Sequence, residues 1–91
     1  MTKRDEVVLD ELKGALFTLS LAMRKAFDEF SQYVEERREV WDEKSEKWQE
    51  GDKGVEEDEM IEALETVVSD VEAVLDEIDA AIDTVEEVAN G

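Results

Sequence analysis

An all-α fold, an antiparallel two-helix hairpin that dimerises into a four-helix bundle, is predicted by three observations. The 91 residues contain no proline, so nothing removes a helical donor along the chain. Apolar residues recur in columns seven residues apart on both sides of residue 50. One glycine-bounded segment, Gly51-Asp52-Lys53-Gly54, separates the two runs, and a short connection makes consecutive helices antiparallel neighbours. The reading is one domain, residues 1–91, with helix 1 at about 3–50, a turn at 51–54 and helix 2 at about 55–89.

Helix 1 begins at Thr2, which with Asp5 three residues on resembles a capping box. Its apolar columns are Leu9, Leu16, Met23, Phe30 and then Leu12, Leu19, Ala26, Tyr33, Val40. A third column changes from Lys13 and Ser20 to Phe27, Val34, Trp41 and Trp48, while the first ends in Arg37 and Lys44. The buried stripe is therefore expected to rotate round a fairly straight helix, roughly 69 Å long if continuous from residue 5 to 50. The spacing of Trp41 and Trp48 favours core packing; Trp48, near the turn, is the more exposed of the two and could form a mixed patch with Arg37 and Arg38.

In the turn, Gly51 suits the left-handed conformation that ends a helix, with Lys44 and Lys47 near the negative end of the helix dipole. Asp52 is placed to cap helix 2, whose first turn holds Glu56, Glu57, Asp58 and Glu59. Helix 2 carries three adjacent apolar columns, namely Leu64, Val71, Ile78, Val85; Met60, Val67, Val74, Ala81, Val88; and Ile61, Val68, Leu75, Ile82, Ala89. Three columns of seven predict one broad buried face, wider than a two-column seam. The column Asp58, Glu65, Glu72, Asp79, Glu86 is then expected opposite it.

Folding at the turn pairs residue i with about residue 105 − i, so that Trp41 faces Leu64, Val34 faces Val71, Phe27 faces Ile78 and Leu19 faces Val85. Helix 2 runs out near residue 15 and leaves Val7, Val8, Leu9 and Leu12 overhanging. Phe17 and Leu21 lie off the main stripe, and Gly14, Ala15 and Ala22 permit close approach. Exposed apolar patches of this kind mark an interface, which assigns Val8, Leu9, Leu12, Leu16, Phe17 and Leu21 to a homodimer contact. A frayed or folded-back N-terminus is the alternative.

Composition narrows the function. A chain this short supports a small core and usually needs staples or a partner. It has no Cys and no His, which excludes disulfides, zinc fingers, histidine metal sites and Cys/His nucleophile arrangements. An exposed hairpin offers no enclosed pocket, no Glu-x-x-His pair and no calcium-binding loop, so neither an enzyme nor a cofactor or metal is expected. Twenty-eight acids against ten bases give a net charge of -18. Nucleic acid and membranes are poor partners for such a chain, and basic protein surfaces are good ones. Without a signal peptide or a bilayer-spanning run, a soluble, cytoplasmic protein is expected.

Charge is also uneven along the chain. Residues 1–50 hold nine bases and thirteen acids, residues 51–91 one base and fifteen acids. With Arg37, Arg38, Lys44 and Lys47 near the turn, uncompensated charge is expected in the far half of helix 2, at Asp70, Glu72, Asp76, Glu77, Asp79, Asp83, Glu86 and Glu87. Acids at 4,3 spacing, interrupted at Ser69, are about 5 Å apart along the axis. A duplex carries one phosphate per roughly 3.4 Å per strand. Such a row can imitate a nucleic-acid backbone and occupy a Lys/Arg groove on a nucleic-acid-binding protein. A solvent face that is merely acidic, for solubility or salt adaptation, is the competing explanation.

Ser45-Glu46-Lys47-Trp48-Gln49 followed by Gly54 resembles the hairpin tip of small acidic helical accessory proteins of phages and mobile elements. That resemblance implies a class containing anti-restriction and anti-CRISPR inhibitors, acting in the cytoplasm of a host cell. The function expected is thus a non-enzymatic DNA-mimic inhibitor. The alternative is a coiled-coil assembly adaptor whose acidity serves only solubility.

Overall fold

The computed structural model describes every residue, Met1–Gly91. The chain is all-helical, with α1 (Lys3–Glu43), α2 (Glu46–Glu50) and α3 (Asp52–Asn90), and the long helices α1 and α3 pack as a pair. It divides into two compact units, one of Met1–Ala26 with Glu72–Gly91 and one of Phe27–Val71. In the first, Lys13 meets Glu86 and Arg24 meets Asp79. In the second, Arg37 meets Glu57 and Arg38 meets Asp58. α1 and α3 are therefore antiparallel in both. No helix is long and apolar enough to cross a membrane.

α1 starts as its sequence suggests. The Asp5 amide donates to Thr2 Oγ1 at 3.2 Å and the Thr2 amide donates to Asp5 Oδ2 at 2.9 Å, the reciprocal pattern of a capping box. Its end differs from expectation: α1 stops at Glu43 rather than running to residue 50. Ser45 is extended, and its hydroxyl accepts from the Trp48 amide at 3.2 Å, capping a separate five-residue helix. Serine offers the backbone this local alternative to helix continuation, and Gln49 then serves the exposed end of α1. Its amide donates to the Trp41 carbonyl at 2.9 Å, one of the four terminal carbonyls that a helix leaves without an internal donor.

The glycines exchange roles relative to the predicted turn. Gly51 ends α2 in an extended conformation, φ -75 and ψ 169, and no residue has positive φ. Gly54 is not in the bend at all; it is buried in the first turn of α3. A β-carbon there would lie 2.2 Å from the Trp48 carbonyl oxygen, so glycine is required by close approach and not by handedness. The Trp41 indole donates to the Gly54 carbonyl at 2.9 Å, completing a tip tied by backbone groups.

Because the bend precedes Gly51, the 105 − i register is displaced. Trp41 bonds to Gly54 where the register placed Leu64, and Lys13 reaches Glu86. α3 consequently extends beside the start of α1, where Val88 lines a groove with Met1, Arg4, Val8 and Leu9. The expected overhang of Val8 and Leu9 beyond helix 2 is thus overturned.

The seam is narrower than the sequence suggests. In Met1–Ala26/Glu72–Gly91 the seam positions are Leu9, Lys13, Leu16, Ser20 and Met23 against Leu75, Ile78, Ile82 and Val85, with Asp79, Ala81 and Glu86 half-buried beside them. In Phe27–Val71 they include Phe27, Phe30, Val34 and Trp41 against Ile61, Leu64, Val68 and Val71. These positions alternate steps of four and three on each helix, which is a two-column seam that does not rotate. The large side chains of the third column stay exposed on both helices, Leu12, Leu19, Tyr33 and Val40 on α1 and Met60, Val67, Val74 and Val88 on α3, while Ala81 of that column is half-buried. Only Val34, Ile61 and Leu75 are buried apolar side chains.

Candidate interaction surfaces

Each unit has two unlike flanks beside its seam. On α1, Arg24 and Arg38 follow the seam residues Met23 and Arg37, so they project to one flank. Leu12, Leu19, Tyr33 and Val40 precede seam residues and project to the other. α3 matches this division, with Asp58, Glu65, Glu72, Asp79 and Glu86 on the first flank and the column from Met60 to Val88 on the second.

The first flank is ion-paired. Lys13 Nζ lies 3.1 Å from Glu86 Oε1. Asp79 pairs with Arg24 and lies 3.4 Å from the donating Ser20 hydroxyl. Arg38 bridges two acids, donating to Asp58 and Glu65 at 2.8 Å each, with its guanidinium 5.3 Å from the Trp41 ring centroid. Hydrogen bonds to Glu65 and then Asp58 raise its pKa above the ordinary arginine value, against the opposing effect of burial. Arg37 donates from Nε to Glu57 at 3.0 Å and from Nη1 to the Tyr33 hydroxyl at 2.6 Å; the Glu57 bond is the larger cause of its raised pKa.

This arrangement corrects the predicted anionic face. Asp79 and Glu86 are compensated within the chain because their column borders α1. Asp70, Glu72, Asp76, Glu77, Asp83 and Glu87 are exposed and make no ion pair. Charge is also not concentrated in the far half of helix 2. Met1–Ala26 with Glu72–Gly91 has five bases and eleven acids, net -6, whereas Phe27–Val71 has five bases and seventeen acids, net -12. In the latter only Glu57, Asp58 and Glu65 are paired, which leaves fourteen carboxylates without a cation.

Half of those fourteen lie on α1, where sequence reasoning did not look: Asp28, Glu29, Glu35, Glu36, Glu39, Asp42 and Glu43, all exposed. The missed signal is a pair of seven-residue columns, Asp28, Glu35, Asp42 and Glu29, Glu36, Glu43. The proposed Arg37, Arg38, Trp48 patch does not form as such, since both arginines are engaged by acids and the cation over Trp48 is Lys44, 5.3 Å from the ring centroid. No group of three or more acids is arranged to hold a metal ion.

The second flank is apolar and uncovered in Met1–Ala26/Glu72–Gly91, whereas in Phe27–Val71 Arg37 lies over the Tyr33 ring and bonds Glu57 there. Of the six residues assigned to a dimer contact, Val8, Leu12, Phe17 and Leu21 are exposed, while Leu9 and Leu16 are half-buried in the seam. Phe17 shares the column of Arg24, so it sits with the ion pairs, and Leu21 points outward. Only Leu12, with its neighbour Val8, belongs to the apolar flank, which continues through Leu19 and, on α3, Val74 and Val88. No family model, curated protein or solved structure matches the chain.

Proposed function

We propose that this protein is a non-enzymatic, acidic interaction protein that occupies the basic, nucleic-acid-binding surface of another protein, in the manner of a DNA mimic. The observation that carries the reading is the set of fourteen unpaired, exposed carboxylates in Phe27–Val71. An ordinary solvent face interleaves both signs; here Arg37 and Arg38 are engaged by acids beside the seam, Lys44, Lys47 and Lys53 sit at the tip joining the long helices, and the outward faces of both long helices are left anionic. Such a surface steers a Lys/Arg-lined groove into contact and weakens with salt. The target class is that of host nucleases and related nucleic-acid-binding proteins, as for phage anti-restriction and anti-CRISPR inhibitors, and the site of action is the host cytoplasm. The working state is a homodimer in which two helix pairs form a four-helix bundle.

The test is capture from host lysate with the immobilised chain at low and high salt. Nucleic-acid-binding proteins will be retained at low salt and released by competing duplex DNA. They will be lost from a variant carrying Glu35→Lys, Glu36→Lys, Glu39→Lys and Asp42→Lys. Retention that ignores salt, DNA and those four changes would instead establish the second reading, a coiled-coil adaptor. The exposed apolar columns are the observation that favours that alternative.

A further inference from the structure

Tyr33 and Val40 on α1 and Met60 and Val67 on α3 form an apolar strip along one flank of Phe27–Val71, each between 38% and 55% exposed. A shallow depression of about 350 Å³ opens on it, lined by Tyr33, Glu36, Arg37, Val40 and Glu57. Arg37 forms part of its floor, 5.7 Å from the Tyr33 ring centroid, and its charge is met by Glu57. The outward neighbours of the strip, three and four residues away on each helix, are acids on both sides. On α1 they are Glu29, Glu36 and Glu43; on α3 they are Glu56 and Asp70, with Ala63 between them. All five acids are exposed and none is ion-paired; Glu36 accepts only from the Gln32 amide, at 3.3 Å. No free cation lies among them. Arg38 is on the opposite flank with Asp58 and Glu65, and Lys44 stacks on Trp48. Lys53 precedes Met60 in its column but lines the tip groove with Lys47 and Trp48.

Spacing and charge together define the occupant. Tyr33 and Val40 are seven residues apart, as are Met60 and Val67, which is about 10.5 Å along each axis. That is the repeat on which a third helix lays its apolar stripe against a helix pair. An apolar middle between two anionic rims complements a helix whose apolar stripe is bordered by Lys or Arg on both sides. A second copy of the chain does not meet that description, because it would bring the same five acids to the same strip. We infer that this strip holds a basic amphipathic helix of another protein. The partner's apolar stripe rests on Tyr33, Val40, Met60 and Val67, and its cationic borders face the Glu29–Glu43 and Glu56–Asp70 rims. The inference rests on the reading above, that the acidic surface of Phe27–Val71 contacts a basic protein, and adds which element of that protein is held and where.

The test is fluorescence anisotropy on the full chain with two labelled peptides of about 18 residues, both built from leucine and lysine in the same proportion. One carries its leucines at i, i+3, i+4 and i+7; the other has them scattered. At about 0.15 M salt the patterned peptide will bind about tenfold or more tightly than the scattered one. Val40→Gln/Val67→Gln, at positions exposed within one chain, will leave helicity intact and remove that preference. Glu29→Gln/Glu36→Gln/Asp70→Asn will weaken the patterned peptide more than Asp28→Asn/Glu35→Gln/Asp42→Asn, which neutralises as many acids away from the strip. Equal binding of the two peptides, or a preference indifferent to Val40→Gln/Val67→Gln, overturns the inference, and lysate capture would then succeed on charge alone. Valine-dependent binding of the patterned peptide without lysate capture of nucleic-acid-binding proteins keeps the strip and rejects that target class. A dimer in light scattering that Val40→Gln/Val67→Gln dissociates gives the strip to a second copy and overturns the inference.

Discussion

Gly54 and Gly14 are both helical glycines, yet substitution at the two sites is predicted to act in opposite directions. At Gly54 an added β-carbon would fall 2.2 Å from the Trp48 carbonyl oxygen and 2.6 Å from Gln49 Cα. Both are backbone atoms that cannot swing aside, so Gly54→Ala will destabilise by about 2–3 kcal/mol. At Gly14 nothing lies within 4 Å of the added atom, and the exposed mid-helix site gains propensity, so Gly14→Ala will stabilise by about 0.5–1 kcal/mol. Urea unfolding of both variants checks the pair; equal midpoints would remove the close approach as the reason for Gly54. From the sequence, Gly51 and Gly54 read as one bend because both are permissive residues. Which of them is needed for proximity depends on where Trp48 and Gln49 sit, and that follows from Ser45 capping a new helix instead of continuing the old one.

The long helices are the part of the fold most plainly written in the sequence, and the choice of buried columns is the part that is not. Three adjacent apolar columns allow either neighbouring pair to form a seam. Excluding the column from Met60 to Val88 turns the midline of the buried face by roughly 30°. That turn carries Asp58, Glu65, Asp79 and Glu86 from the outer side to the border of α1, where Arg38, Arg24 and Lys13 meet them. The matching cations were visible beforehand; the register that joins them to the acids was not, because it depends on a bend displaced toward the N-terminus.

The first turn of α1 supplies a test at the same scale. Two hydrogen bonds from Thr2, the backbone one the larger cause, hold Asp5 below its ordinary value of 3.8. A depressed folded-state pKa gives stabilisation that is present above the unfolded value and is lost as pH falls through the folded one. The start of α1 will therefore fray at pH below about 3.8, and amide exchange near the N-terminus will quicken there first. Asp5→Ala will give the faster exchange at neutral pH and remove this pH dependence, whereas Thr2→Ala, which keeps the backbone donor to Asp5, will reduce it only in part.

For the molecule as a whole, net charge and ion pairs oppose each other in their response to salt. Exposed pairs contribute about 0–1 kcal/mol each and weaken on screening, and there are few of them. Repulsion among eighteen excess negative charges also weakens as the Debye length falls from about 10 Å at 0.1 M to about 3 Å at 1 M. Repulsion involves more charges than the pairs do, so added sodium chloride will raise Tm. A falling Tm would mean that the pairs around Arg38 outweigh it. Net charge was legible in the composition. Its distribution was not, because both strongly acidic faces of Phe27–Val71 had to be assigned to one body before they could be counted together.

The division into two units has an optical corollary. Trp41, Trp48 and Tyr33, the tryptophans and the tyrosine of the chain, all belong to Phe27–Val71. Fluorescence thus watches one body and is blind to the other, while circular dichroism sums both. Any gap between the two melting curves would measure, without a label, how independently the dark half comes apart.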